Sequence, residues 1–250
     1  MRPIVQSLWI GDQISNLEKL SMASFLRHGY EFHLYVYKSL ENLPEGVVLK
    51  DANKIIAEQR VFKYKDFDSY AGFANLFRYK LLYEEGHTWV DTDLICLRKL
   101  PERAYIFPKE NTSQLYNNRH WKISCFIIKA PAKSAIMKYC YQEAEKHNHE
   151  TLKWGDTGPK LVEYAVLKHS LEKFIADPKD YCPVNFWEWK EYIQSVRTTW
   201  KKQLAIALHR PYCLHLWNEM WRRDQVSKDS KFPRTSIYEN LKRYYLKTNS

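Results

Sequence analysis

The stretch His87–Leu97, "HTWVDTDLICL", sets two carboxylates into a run that otherwise reads as a buried strand. The flanking residues are apolar and β-prone. Alternate side chains of an extended chain share a face, so Asp91 and Asp93 are expected to point the same way with Thr92 between them. Two ionised carboxylates this close repel each other and resist desolvation, so they need a cation or a shared proton. A divalent metal meets that need, since hard oxygen ligands suit Mg²⁺ or Mn²⁺, which keep waters and bind substrate phosphates as well. On these residues alone, a pair that merely caps the next turn is an equal reading. A second Asp-x-Asp, Asp66-Phe67-Asp68, lies in a charged, loop-like stretch and reads as solvated.

The residues before this strand form a helical pattern. In "DSYAGFANLFRYKLLYEEG" (68–86), Phe73, Ala74, Phe77 and Leu81 share one face, Asn75, Arg78 and Leu82 fall on the adjoining one, and Gly86 ends the run. Nearer the N-terminus, "PIVQSLWIG" (3–11) reads as a first buried strand. "SNLEKLSMASFLRHG" (15–29) reads as a helix that opens with Ser15 and Glu18 at capping-box spacing. "EFHLYVYK" (31–38) returns to strand, and "DANKIIAEQRVF" (51–62) is expected to be a short helix. Strand, helix, strand in this order implies a parallel sheet with right-handed crossovers. Sites in such sheets lie beyond the carboxyl ends of the strands, which would put Trp9 and Gly11 beside a bound ligand; Trp9 reads equally as a core residue.

Further on, "WKISCFIIKA" (121–130) reads as a buried strand, with Pro131 in the first turn of a helix over 132–147. "GPKLVEYAVLKH" (158–169) is another helix. "QLAIALH" (203–209) reads as a strand, and a basic helix closes the chain around "IYENLKRYYLK" (237–247). No internal repeat, linker or low-complexity segment interrupts the sequence.

With 250 residues and 45% hydrophobic content, the chain can build a sizeable core, and a single α/β domain is expected. The formal net charge of +10 favours anionic partners without choosing among nucleotides, phospholipid headgroups, acidic glycans and nucleic acid. Nine Trp and eighteen Tyr supply flat rings suited to sugars or bases, although most rings in any chain belong to cores. The five cysteines are scattered and never form C-x-x-C, which argues against a disulfide framework or zinc ribbon and for a reducing compartment. No apolar run approaches the ~20 residues of a membrane span, and the first residues reach a strand and a turn too soon for a signal peptide. A cytoplasmic protein is expected.

Taken together, "FANLFRYKLLYEEGHTWVDTDLICLRKL" (73–100) is similar to the glycosyltransferases with a D-x-D sugar-binding region, the family 32 type that includes α-1,4-glycosyltransferases and capsular or lipopolysaccharide sugar transferases. Arg78, Tyr79, Leu82, Tyr83, Gly86, Asp91 and Asp93 match that family's pattern in order and spacing. "SLWIGD", "WGDTGPKLV" and "HLWNEMW" resemble its first strand, its Thr-Gly-Pro segment and its C-terminal histidine segment. Two departures stand out. Asn75 replaces the usual Asp, which removes the expected ion-pair partner of Arg78 and bears on donor specificity. His87 replaces a second Gly, which suggests a differently shaped turn.

The resemblance implies a GT-A-type α/β fold over residues 1–250, a mixed, mostly parallel sheet flanked by helices with a Rossmann-like half. Residues 1–130 would bind the nucleotide sugar and residues 131–250 the acceptor, with the C-terminal basic helix at the end. It implies Mn²⁺ or Mg²⁺ held by Asp91, Asp93 and His215, with Asp91 binding either the metal or the ribose. The donor would rest on Trp9, Gly11, Asn75, Arg78, Asp91, Thr92 and Asp93. Arg78 would clamp the donor, and Asp156 would contact sugar or acceptor or else cap the helix that follows. Partners would be a nucleotide-sugar donor, UDP-linked first and GDP-mannose second, and an oligosaccharide or lipid-linked glycan acceptor. Transfer with retention and no covalent intermediate is expected, with no nucleic acid involved. The basic, aromatic C-terminal helix suggests peripheral contact with an anionic membrane at its inner face. Two rivals remain open: a metal-dependent phosphodiesterase, and a basic, aromatic glycan- or nucleic-acid-binding module without catalysis.

Overall fold

The computed structural model describes residues 2–65 and 68–246. Asp66 and Phe67 of the second Asp-x-Asp and Lys247 of the terminal basic helix lie outside the described residues. In chain order the elements are β1 (Ile4–Trp9), α1 (Asn16–Arg27), β2 (Glu31–Val36), β3 (Val47–Asp51), α2 (Ala71–Glu85), β4 (Thr88–Val90), β5 (Leu94–Cys96), β6 (Phe107–Tyr116), β7 (Arg119–Ile123) and β8 (Ile127–Lys129). There follow α3 (Ala135–Glu145), α4 (Pro159–Lys168), β9 (Ile175–Ala176), α5 (Pro178–Tyr181), α6 (Val196–His209), β10 (Cys213–His215), α7 (Asn218–Arg223) and α8 (Ile237–Tyr245).

The main sheet has the order β3-β2-β1-β4-β8. The first three pairings are parallel and β8 runs antiparallel at the edge, so the mixed, mostly parallel α/β sheet expected from the sequence is present. Alternation along the strands builds an apolar layer on each face. Val5, Phe32, Leu34, Val90 and Ile127 pack with Leu17, Leu20 and Phe25 of α1, whereas Leu8, Tyr35, Trp89 and Ile128 pack with Phe73, Phe77 and Leu81 of α2. Side chains such as Phe25, Phe32 and Phe77 are wholly buried, each contributing about 1.5–3 kcal/mol of burial.

The capping box read at the start of α1 is real: the Glu18 carboxylate accepts from the Ser15 N–H at 2.7 Å, and Ser15 Oγ accepts from the Leu17 N–H at 3.2 Å. Gly86 closes α2 with φ 72°, and a Cβ there would meet the Ala132 nitrogen at 2.5 Å, so no other residue fits. The next residue, His87, also takes a left-handed φ of 70°. His87 thus holds a backbone angle that a glycine would adopt more readily, and histidine bears the strain. Gly86 is also tied to the sheet, since Gln6 of β1 donates its amide to the Gly86 carbonyl at 2.6 Å.

Four readings of the sequence are corrected. Residues 51–62 form no helix: β3 ends at Asp51 and two 3₁₀ turns follow, Ala52–Lys54 and Glu58–Arg60, the first capped by the Asp51 carboxylate accepting from the Asn53 N–H at 2.9 Å. The strand over 121–130 is two strands: β7 ends at Ile123, where Ser124 gives a last N–H to the Pro108 carbonyl, and β7 and β8 join different sheets. Pro131 precedes the helix, whose N-cap is Ser134. Residues 203–209 belong to α6, a helix that opens at Ser195 and closes at Arg210 in the left-handed conformation (φ 54°); its apolar residues read as strand although they are helical and largely exposed. Strand β6, and with it the hairpin it forms with β7, had no counterpart in the sequence reading.

Candidate active site

Three elements deliver the candidate site. Strand β4 ends at Val90, and residues 91–94 then turn back: the Leu94 N–H donates to the Asp91 carbonyl at 3.1 Å and β5 begins. Asp91 and Asp93 thus converge through a turn rather than along a continuous extended strand. Strand β10 pairs antiparallel with β5, in the register His215 opposite Leu94, which brings the histidine beside the turn from more than a hundred residues away. Ligand atoms of Asp91, Asp93 and His215 all lie within 4.8 Å of one another.

Each member is held by partners outside the trio. Asp91 Oδ1 accepts from Arg78 Nη2 and from Trp89 Nε1, both at 2.7 Å, so Oδ2 receives neither bond. Arg78 is 4% exposed, gives a second bond to Asn75 Oδ1 at 3.1 Å and lies 4.7 Å from the Trp89 ring. Asn75 therefore does not strand the guanidinium, because Asp91 supplies the counter-charge. Asp93 Oδ2 stands 3.2 Å from His215 Nε2 and accepts the Asn218 N–H at 2.7 Å. The His215 ring stacks on Phe126 at 4.4 Å and leans on Trp217 at 4.0 Å, while its Nδ1 is buried without a hydrogen bond.

The electrostatics separate the two carboxylates. Burial, reinforced by the Asp93 charge, raises the pKa of Asp91 despite Arg78 and Trp89. For Asp93, burial also pulls upward, but the His215 charge and hydrogen bond and the Asn218 N–H outweigh it and lower the pKa. Burial favours the neutral His215 ring, yet Asp93, by charge and hydrogen bond, raises its pKa. A protonated His215 beside Asp93 would supply the positive charge that the sequence demanded. A divalent cation would meet the same demand: two carboxylates and one imidazole form a donor set for Mn²⁺ or Mg²⁺, with the imidazole leaning toward Mn²⁺.

The trio borders a cavity of about 570 Å³, of the size that takes a small-molecule ligand. Of the residues expected at a donor site, Trp9, Asn75, Arg78, Asp91, Thr92 and Asp93 line it. Gly11 is exposed and does not. Asp156 also stays outside the lining and pairs with Lys160 at 2.8 Å; it caps nothing, since Gly158 is the N-cap of α4. Its neighbours do reach the site: Tyr79 donates its hydroxyl to the Thr157 carbonyl at 2.8 Å, and a Cβ on Gly158 would meet Asn75 Nδ2 at 3.0 Å. The Thr-Gly-Pro segment thus needs its glycine to lie against α2.

Sequence reasoning gave no role to Trp89 or Glu110. Trp89 sits two residues before Asp91, and the alternation that paired the aspartates could have found it. Glu110 is a buried carboxylate on the cavity wall that accepts from Ser124 Oγ at 2.6 Å and pairs with Lys122 at 3.0 Å; no local pattern marks it.

No family model matches the chain. Among characterised proteins it is similar to lactosylceramide 4-alpha-galactosyltransferase of Rattus norvegicus, 25% identical over 153 residues, covering 57% of this chain and 39% of that protein. It is also similar to human alpha-1,4-N-acetylglucosaminyltransferase, 24% identical over 156 residues, covering 57% of this chain and 41% of that protein. The chain thus spans about two fifths of the length of the curated relatives it matches. Solved structures that overlay on it include the PaToxG glycosyltransferase (13% identity, TM-score 0.46, 98% of this chain and 86% of that one). Another is apo glycosyltransferase GlyE of Streptococcus pneumoniae TIGR4 (16% identity, TM-score 0.48, 99% of this chain and 61% of that one). In sequence, then, the chain resembles α-1,4-glycosyltransferases at about a quarter identity over little more than half of its length.

Proposed function

We propose that this chain transfers a hexose from a nucleotide-diphosphate sugar, UDP-linked first and GDP-mannose second, to a glycan or lipid-linked acceptor. The observation that carries this reading is the convergence of Asp91, Asp93 and His215 on one cavity of nucleotide-sugar size. Those three residues would hold Mn²⁺ or Mg²⁺, whose charge, when bound, stabilises the diphosphate as negative charge builds on it in the transition state. The chain's own residues set the stage. Arg78 and Trp89 fix the Asp91 carboxylate through Oδ1, and the Asn218 N–H fixes Asp93 through Oδ2. The rings of Phe126 and Trp217 pack against the His215 ring and hold it in place.

Arg78 acts through Asp91 in this reading, as a positioning residue, because its two terminal nitrogens bond Asn75 and Asp91. Asn75, Thr92 and Trp9 are the donor-facing groups, Asn75 offering an amide to a sugar hydroxyl. The C–O bond to the diphosphate breaks, the acceptor oxygen bonds to the anomeric carbon from the same face, and the acceptor's proton passes to a departing phosphate oxygen. Asp156, ion-paired and outside the cavity lining, has no part in this step. Five free, buried cysteines support residence in a reducing compartment, and no helix among the described residues is long and apolar enough to cross a membrane.

The deciding experiment is a thermal-shift and calorimetric titration of UDP and GDP with and without Mn²⁺. Nucleotide binding that requires the metal, and is lost in Asp93→Asn, supports the reading. Nucleotide binding indifferent to metal and to Asp93 would return the protein to the class of basic binding modules.

A further inference from the structure

The sequence placed the membrane-facing surface on the C-terminal helix, yet α8 turns most of its apolar residues inward and leaves Tyr244 exposed. Ile237 and Tyr238 are buried, and Tyr245 donates its hydroxyl to the Cys96 carbonyl at 2.9 Å. The exposed apolar face lies on the neighbouring α6. Trp200, Leu204 and Leu208 are 53%, 50% and 75% exposed, and their four-residue spacing aligns them in one stripe along the helix. Arg197 and Lys201 are exposed on the same side by the same spacing, with the Lys201 ammonium 5.6 Å from the Trp200 ring. On the inward side, Thr199 is buried and Gln203 and Ile206 help line a groove of about 550 Å³ shared with Leu241 and Tyr244 of α8.

This face explains why residues 203–209 read as a strand: most of their apolar side chains lie outside the core. A helix that is apolar outward, where water should select polar residues, violates its own fold's pattern, and such violations mark functional surfaces. The charge of the helix narrows the occupant. The span Val196–His209 contains Arg197, Lys201 and Lys202 and no acidic residue, within a chain of formal net charge +10. Trp at one end, Leu along the stripe and basic residues beside it make up the composition of helices that lie in the plane of a bilayer surface. A second copy docking by two-fold symmetry would set the same basic face against itself, which disfavours that occupant.

We propose that α6 is an in-plane docking helix for an anionic lipid surface, inserting Trp200, Leu204 and Leu208 between headgroups while Arg197 and Lys201 contact lipid phosphates. Its 14 residues would lie along about 21 Å of the surface. A link to the candidate site exists in the chain: Lys202 of α6 pairs with Glu188 at 3.0 Å, in the same 3₁₀ segment as Phe186, which lines the cavity. Docking by α6 would thus bring a lipid-borne substrate toward that segment. The proposal stands apart from the metal site and does not depend on it.

The test is co-sedimentation and tryptophan fluorescence of the full chain with vesicles of phosphatidylcholine alone and with one third phosphatidylglycerol. Binding is expected to the anionic vesicles only and to weaken with salt. The combined Trp200→Ser, Leu204→Ser and Leu208→Ser variant is expected to lose about tenfold or more in partitioning with its melting temperature unchanged. Arg197→Glu with Lys201→Glu serves as a second variant with the stripe intact and is also expected to weaken binding. Absence of vesicle binding, equal binding to both vesicle types, or anionic binding unaffected by both variants would overturn the proposal. So would a dimer that the serine variant converts to monomer without any vesicle binding, which would assign the face to a second copy.

Discussion

Removing Asp91 should cost the fold more than removing its partner, and the order follows from exposure. In Asp91→Ala, the Arg78 guanidinium remains 4% exposed with only Asn75 Oδ1 and the Trp89 ring against it, a buried cation with no anion. Breaking a buried pair this way costs about 3–5 kcal/mol. In Arg78→Met, the stranded partner is an Asp91 side chain that is 33% exposed and keeps the Trp89 N–H, so the cost is nearer the ~1–3 kcal/mol of a lost hydrogen bond. Combining both substitutions leaves no stranded charge, and the double variant should be about 2 kcal/mol or more stabler than Asp91→Ala alone. Denaturant unfolding in EDTA measures this without interference from metal binding. For a chain of this length, the Asp91→Ala loss corresponds to a fall of about 6–20 °C in melting temperature. An Asp91→Ala variant within ~1 kcal/mol of the parent, or a double variant no more stable than it, would refute the claim that this carboxylate is the counter-charge of Arg78.

Other expectations are open to direct measurement. His215→Ala should abolish Mn²⁺ binding followed by the loss of the free-ion paramagnetic signal, whereas Asp156→Asn should leave it intact; equal effects would dissolve the proposed ligand set. His87→Gly should stabilise the protein by up to about 1 kcal/mol, because it removes left-handed strain at an exposed residue and forfeits part of the gain to unfolded-state entropy. Burial works against the Glu219 carboxylate, but bonds from Arg222 and Arg223 prevail and lower its pKa below the unfolded value. Its contribution is therefore present above the unfolded carboxylate pKa and disappears as pH falls through the folded one. Glu219→Gln should accordingly be destabilising at neutral pH and indistinguishable from the parent in strong acid, as read by denaturant midpoints at the two pH values.

The readings that rested on marked caps, period and turn residues held. The capping box at Ser15 and Glu18, the apolar face of α2, Gly86 as its terminator and Asp91 with Asp93 at a strand end all express short-range rules of cap chemistry, helical period and turn angle. The readings failed where composition stood in for environment. The run 203–209 is apolar, and periodicity over seven residues cannot say whether an apolar run faces the core or a partner. The β6–β7 hairpin carries Glu110 and Ser124 to the cavity wall, yet the polar, weakly alternating sequence of β6 offered no strand signal.

By itself, then, the sequence determined that two carboxylates stand at the end of a buried strand, after a helix that presents an arginine, and that their charge must be answered. Which groups answer it was settled only by tertiary structure. Arg78 meets Asp91 because α2 packs beside β4, and His215 meets Asp93 because β10 pairs with β5 across 122 residues of chain. Local rules fix what a residue can do, while the pairing of distant strands, driven by burial on both faces of the sheet, fixes which neighbour it meets.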